Sequence, residues 1–409
     1  MSSATAAANK YGDMNALFKE VYADKVKELI PDGVKVLNMI DFMSKDKQPG
    51  NSYHQPVVLG LEHGITFASS DEDAFNLRPA ISGVIKDATI KGNSALLRGL
   101  IGIAAVSRSQ GSKQAFMDAT KYVVGNMLRS MTKKLEAEMF YGQVGYATVA
   151  SSSSATITIT TAEWAPGIWV GAEKMPVEVR DSSGAVSRGE AKVKQVDLDA
   201  KTVTLESVIP GIVAGDVLWH GGAYGNEFPG IHQILTQSSG SLFGIDVAAF
   251  NIFKGNSYSV AGALSFAKII SAAARPVEKG QEGKLLLLVN PRGWANLNND
   301  QAALRQYDSS YSTERAKNGS RALTFFSQNG EIEIQPSIYV KEGYAYMLDL
   351  SEWSRVGSSD ITFKRPGQGD QFFKDSENAA AYELRLYTDQ ALFCAAPGRN
   401  VILTGIVNT

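Results

Sequence analysis

From about Ser112 to Tyr141 the apolar residues Phe116, Ala119, Val123, Met127, Met131, Leu135 and Met139 recur every three to four positions. That spacing lines one face of an α-helix. At 1.5 Å per residue the run predicts a rod of about 45 Å. A helix of this length spans a whole domain, so the other elements must be laid against it. With Lys133, Lys134, Glu136 and Glu138 crowding its last turns, the helix reads as a scaffold element.

The segments around this helix differ in texture. Within residues 1–49 a small, polar start precedes Leu17, Phe18, Val21, Tyr22, Val26 and Leu29 at helical spacing, and Pro31 ends the run; an arm followed by one helix is expected. Residues 50–110 are extended pieces punctuated by glycine and by the acidic cluster Asp71-Glu72-Asp73. Such a two-stranded excursion has little core of its own and should pack against something else. The long helix fills 111–142. Over 143–228 the stretches ATITIT, PVEVR, AKVKQV and KTVTLES alternate apolar and polar residues, which predicts a small antiparallel β unit. Its turns fall at Asp181-Ser-Ser-Gly184 and Asp199-Ala-Lys201. Residues 229–345 are mixed, with a helix expected near 260–274 and a buried strand over 284–289. That strand runs into Pro291, which suits the first turn of a second helix. Residues 346–409 are a run of strands. The fold class is α+β.

Composition removes several functions. The formal net charge of −2 argues against a chain that grips nucleic acid by neutralising many phosphates. Cys394 is the single cysteine, so no internal disulfide or thiolate cluster can form. His54, His63, His220 and His232 are isolated from one another in sequence, and no phosphate loop or Gly-x-Ser-x-Gly elbow occurs. Glu331 and Glu333 sit two apart on one strand and read as an exposed ladder. The expectation is no catalytic residue, no metal and no cofactor: not an enzyme. No apolar run reaches the roughly 18 residues of a membrane span, so no membrane partner is expected. Trp164 and Trp169 flank Pro166-Gly167; packing is the first reading and a sugar platform the alternative.

The order of parts resembles the capsid fold of tailed bacteriophages, often called the Hong Kong 97 fold. KLLLLVNPRGWANLNND (284–300) is similar to the strand-to-helix step of that family's axial domain. YELRLYTDQALFCAAPGRNVILTG (382–405) is similar to its closing strand pair. The resemblance implies an N-terminal arm (1–49), an extended β loop (50–110), a spine helix (111–142), an axial domain (229–345) and a β return to the peripheral domain (346–409). The unit over 143–228 looks like an inserted β domain.

It further implies a structural protein of the virion capsid, assembled in the host bacterial cytoplasm from pentamers and hexamers of itself. A scaffolding protein and a portal protein are implied partners, and room is left for decoration proteins. Double-stranded DNA would lie on the inner face without sequence specificity, and the procapsid would expand on maturation. On the extended loop, Glu62, Asp71, Glu72, Asp73, Arg78 and Lys86 are the candidate intersubunit ion-pair residues. A solvated charged loop is the other reading, since an exposed pair contributes only about 0–1 kcal/mol. Two rivals remain: an encapsulin-like compartment with the same fold, and a β-rich receptor- or glycan-binding protein suggested by the Ser/Thr-rich strands after Ser151. Deleting residues 62–86 is expected to leave a folded monomer that builds no shell; size-exclusion chromatography and negative-stain microscopy check this, and normal particles would refute it.

Overall fold

The computed structural model describes residues 33–43, 52–70, 75–102, 113–299, 323–326, 328, 330–363, 374–375 and 381–408. The helix expected over 14–29 and the cluster Asp71, Glu72 and Asp73 lie outside the described residues.

A four-residue helix, α1 (Val36–Met39), precedes an antiparallel hairpin of β1 (Tyr53–Gly60) and β2 (Val84–Ile90). Then come β3 (Asn93–Gly102) and the spine helix α2 (Lys113–Tyr141). Next are β4 (Ala147–Ser153), β5 (Thr156–Ile159), α3 (Pro166–Trp169), β6 (Pro176–Arg180), β7 (Ser187–Asp197), β8 (Thr202–Leu205) and β9 (Val217–His220). These strands close into a barrel in the order β4-β5-β8-β7-β6-β9. The alternation read in the sequence is an alternation of inside and outside: Val149, Ile157, Val177, Val179, Val193 and Val203 are buried between exposed or half-exposed neighbours. Closure leaves such a small unit without a free sheet edge.

The chain continues through α4 (Ile231–Thr236), the short ladder β10 (Ser241–Leu242) and β11 (Ile245–Asp246), β12 (Asn256–Gly262), α5 (Phe266–Glu278), β13 (Leu285–Val289) and α6 (Pro291–Asn299). It ends with β14 (Leu323–Phe326), β15 (Glu331–Pro336), β16 (Ala345–Leu348), β17 (Trp353–Thr362), β18 (Lys374–Asp375), β19 (Ala381–Cys394) and β20 (Val401–Ile406). A six-stranded mixed sheet has the order β12-β20-β16-β13-β15-β14. Its central strand β13, Leu-Leu-Leu-Leu-Val, is buried at all five positions because both faces are covered. Leu285, Leu287 and Val289 join a core with Phe266, Ile269 and Ala273 of α5, while Leu286 and Leu288 join the main core with the spine helix.

Three placements differ from the sequence reading. Asn93–Gly102 does not belong to the extended loop; it pairs with β19 along its whole length, from Asn93 opposite Gln390 to Gly102 opposite Ala381. The last two long strands are not a pair returning together: β19 joins β3 and β17, whereas β20 lies between β12 and β16 in the six-stranded sheet. The helix expected near 260 begins at Phe266, because Asn256–Gly262 is drawn into a parallel ladder with β20.

The spine helix lies under the β3–β19 sheet, and a Cβ at Gly99 would come within 2.6 Å of the Met127 sulfur. Gly99 therefore allows the close approach. The helix changes character towards its C-terminus: every residue from Leu135 to Tyr141 is buried. The carboxylates in this stretch are enclosed and partnered, and Lys134 beside them is partnered too. The Glu136 carboxylate accepts from the backbone N–H groups of Lys35 (3.0 Å), Val36 (2.9 Å) and Leu37 (2.8 Å), donors that open α1 and have no acceptor within it. Glu138 accepts from Phe228 N–H at 3.2 Å. Lys134 donates to Tyr146 Oη at 2.8 Å and to Glu227.

The barrel is seated against this end of the helix. Gly167 N–H donates to Ile338 O, Glu342 N–H to Trp164 O and Gly343 N–H to Ala162 O, at 2.8–3.0 Å. Lys341–Glu163 (2.6 Å) and Lys201–Glu342 (2.7 Å) add ion pairs across the same seam. Trp164 and Trp169 stack here, 10° from parallel with centroids 6.2 Å apart, and both are buried. They form a packing element and present no face for a sugar.

Glu136→Ala should destabilise the folded chain by about 3 kcal/mol, since several buried donors lose their acceptor. Glu136→Gln, which keeps one acceptor oxygen, should cost less. Urea denaturation of both variants checks this, and an E136A variant as stable as the parent would contradict it.

Candidate assembly surface

Among the described residues the β1–β2 hairpin is anchored at its base. At its base Ala88 and Ile90 are buried, and Thr89 N–H donates to Phe243 O in the β10–β11 turn at 2.8 Å. Tyr53 and Phe243 both set their rings edge-on to Phe393, at 5.9 and 5.3 Å. Away from the base the legs stay together. A Cβ at Gly83 would lie 2.6 Å from Gly60 O, His63 N–H donates to Ile81 O, and Arg78 N–H donates to Thr66 Oγ1. From Tyr53 to Thr66 an extended leg reaches about 45 Å at roughly 3.3 Å per residue.

The outer part of this arm exposes Val58, Leu61, Ile65, Phe67, Phe75, Leu77, Ile81, Val84 and Ile85. Phe67 is 85% exposed and Leu77 80%. An apolar side chain of this size contributes about 1.5–3 kcal/mol when fully buried, so the set holds a gross driving force on the order of 10 kcal/mol for covering it. Large apolar side chains exposed in this number on one element mark an interaction site.

Of the charged residues predicted for this loop, Glu62, Arg78 and Lys86 are exposed. Among the described residues none of the three forms an ion pair within the chain. Their intersubunit role remains a proposal. At about 0–1 kcal/mol per exposed pair, the apolar residues beside them outweigh them. The signal for these apolar residues lies in GITFASS and FNLRPAISGVI, not in the charges between them: apolar side chains in a two-stranded element with little core of its own.

The platform behind the arm holds buried titratable groups. His232 is enclosed by the rings of Tyr141, Tyr344 and Tyr346, with its Nδ1 3.0 Å from Tyr346 Oη. Burial, reinforced by the Lys341 ammonium, pushes the imidazole down to about 4. Burial likewise pushes Glu138 up to about 7, with Lys134 opposing and Glu227 adding to the rise. Lys134 is held above the ordinary lysine range: burial works against its charge, but Tyr146, Glu227 and Glu138 around it prevail. Among the described residues no three His, Cys, Asp or Glu side chains come together as a metal set. No helix among them is long and apolar enough to cross a membrane.

No protein-family model matches the sequence, and no curated protein matches it. Solved structures do. The capsid asymmetric unit of cyanophage A-1(L) aligns over 96% of this chain and 98% of its own, with a TM-score of 0.57 at 11% identity. The capsid of a native GTA particle aligns over 98% of this chain and 100% of its own, with a TM-score of 0.50 at 8% identity. The SrpI encapsulin of Synechococcus elongatus aligns at a TM-score of 0.44 and 10% identity, too low to argue from. The chain has the phage capsid fold.

His232 makes stability depend on acidity with a defined sign. The folded imidazole stays neutral down to about pH 4, whereas the unfolded one takes up a proton near its ordinary 6.5. Its contribution is whole above pH 6.5 and is lost as the pH falls towards 4. Chemical denaturation at pH 7 and pH 4.5 should show the parent losing about 2–3 kcal/mol more across that interval than His232→Gln. Equal losses in the two proteins would contradict the assignment.

Proposed function

We propose that this chain is the major capsid protein of a tailed phage, a structural protein that assembles with copies of itself into a closed icosahedral shell around double-stranded DNA. The observation that carries the reading is the arm. A hairpin reaching about 45 Å, fixed at its base and covered distally with exposed apolar residues, cannot bury them on its own subunit. A second copy of the chain supplies the missing layer. Each subunit both reaches over a neighbour and is reached over, so interfaces that are modest singly reinforce one another around a closed particle. The capsid fold supports this reading, because it is a fold in which such an arm belongs to a shell subunit.

In this account the shell forms as a procapsid of pentamers and hexamers on a scaffolding protein, in the bacterial cytoplasm, with a portal protein at one vertex. Packaging of DNA then drives expansion. The barrel stands apart from the arm as an inserted unit and offers a place for decoration proteins. Glu62, Arg78 and Lys86, with the acids at 71–73, set the register of the arm on its neighbour, while the apolar residues supply the energy. No catalysis and no cofactor enter the account.

Electron microscopy of the protein expressed alone and with its neighbouring genes tests the proposal, with uniform shells as the expected result. Replacing Leu61, Phe67, Leu77 and Ile81 together by Ser should leave the melting curve of the subunit unchanged and abolish shells. Shells at normal yield from that variant would overturn the role of the arm. Shells filled with a protein cargo and no DNA would favour a compartment of the encapsulin type, and a protein that never assembles would favour the β-rich binding-protein reading.

A further inference from the structure

At β12, an edge strand of the six-stranded sheet, the turn after α4, the start of β12 and the last turns of α5 line a groove of about 450 Å³. Lys254, Arg275 and Lys279 line it against a single acid, Glu278, so the groove carries a formal charge of +2 in a chain whose net charge is −2. Among the described residues none of the three cations forms an ion pair. The Lys279 ammonium instead donates to the Lys254 carbonyl at 2.7 Å, which holds the two lysines together. Arg275 is fixed by its guanidinium lying over the Tyr258 ring, 5.3 Å from the centroid. Burial, and then the nearby Lys254, draw Lys279 below the ordinary lysine range, as expected for a partly buried ammonium beside a like charge.

We infer that this groove is an anion site for the phosphodiester backbone of nucleic acid, contacted by Lys254, Arg275 and Lys279. Three cations lining one groove, none of them in an ion pair among the described residues, meet the requirement for phosphate oxygens, and Arg adds a planar fork suited to them. The remaining lining distinguishes phosphate from an acidic peptide. Thr236, Ser238, Asn251 and Ser257 are polar, and the apolar anchors on which a bound peptide segment depends are missing apart from Leu235. No aromatic side chain lines the groove among the described residues, so it offers no platform for a stacked base. The site contacts backbone charge without reading sequence. With so few phosphates neutralised, binding is weak and strongly salt-dependent.

This inference rests on the genome-shell reading, which puts DNA within reach, and its test separates the two. The full-length chain, kept as unassembled subunits, is titrated against a fluorescein-labelled DNA duplex of mixed sequence, and anisotropy is followed over a range of salt. The parent should bind at about 50 mM salt, with a log–log salt slope of about −2 to −3. K254Q/R275Q/K279Q should bind at least about tenfold more weakly, with the slope reduced by about two. K254R/R275K/K279R, which keeps the charges, should retain binding and shows that a loss in the first variant is not a folding defect. K192Q/K194Q, on the barrel, should bind like the parent. No binding by the parent, or equal binding by the parent and the charge-removed variant, would overturn the site. Particle formation by the same variants, scored by microscopy, reports on the shell reading independently, since these substitutions leave the arm untouched.

Discussion

The structure depends on the enclosure of the charged C-terminal turns of the spine helix. Burying a carboxylate without partners costs several kcal/mol, so where Glu136 and Glu138 are enclosed, with Lys134 half-buried beside them, other parts of the chain must come to meet them. Glu136 collects the first N–H groups of α1, Glu138 the backbone at Phe228, and Lys134 the side chains of Tyr146 and Glu227. The segment before the hairpin, the exit from the barrel and the helix are thereby fixed at one place. Breaking any of these contacts leaves a buried group unpaired, and that asymmetry makes the junction a specific one.

A rigid junction gives the arm its meaning. The hairpin base is clamped by Tyr53, Phe243 and Phe393, and the barrel is seated through the 337–344 segment by three backbone hydrogen bonds and two ion pairs. Among the described residues the distal hairpin has no such support. Its apolar residues are exposed because the layer that would cover them belongs to another molecule, and the energy available from covering them exceeds what the charges along the loop can supply.

Much of this architecture was legible in the residues. The period of the spine helix, from Val123 through Met127 and Met131 to Leu135, is its buried face, and the strict alternation of PVEVR and KTVTLES marks barrel strands. The Leu-rich run at 285–289 reads as a strand covered on both faces. Long-range pairing was not legible: nothing local in NSALLRGLIG says that it will lie against YELRLYTDQ nearly three hundred residues later, or that NVILTGI will leave that strand for the six-stranded sheet. The burial of Glu136 and Glu138 was hidden for a related reason. A charge near a helix end reads as solvent-facing unless its partners are known, and these come from residues 35–37 and 227–228. At the candidate site the eye goes to Glu62, Arg78 and Lys86, but the informative residues are Phe67 and Leu77, apolar in a segment with nothing of its own to pack on.

The central claim is that the distal hairpin is covered by a second copy of the chain, and its accessibility can be read directly. Ser69 is exposed, two residues from Phe67, and Cys394 is fully buried, its thiol pushed far up by that burial, so a Ser69→Cys variant carries one reactive thiol. Maleimide labelling of that variant should be fast in unassembled subunits and strongly slowed in purified particles. Labelling at the same rate in both states would show that the arm lies free on the assembled shell, and the account would be wrong.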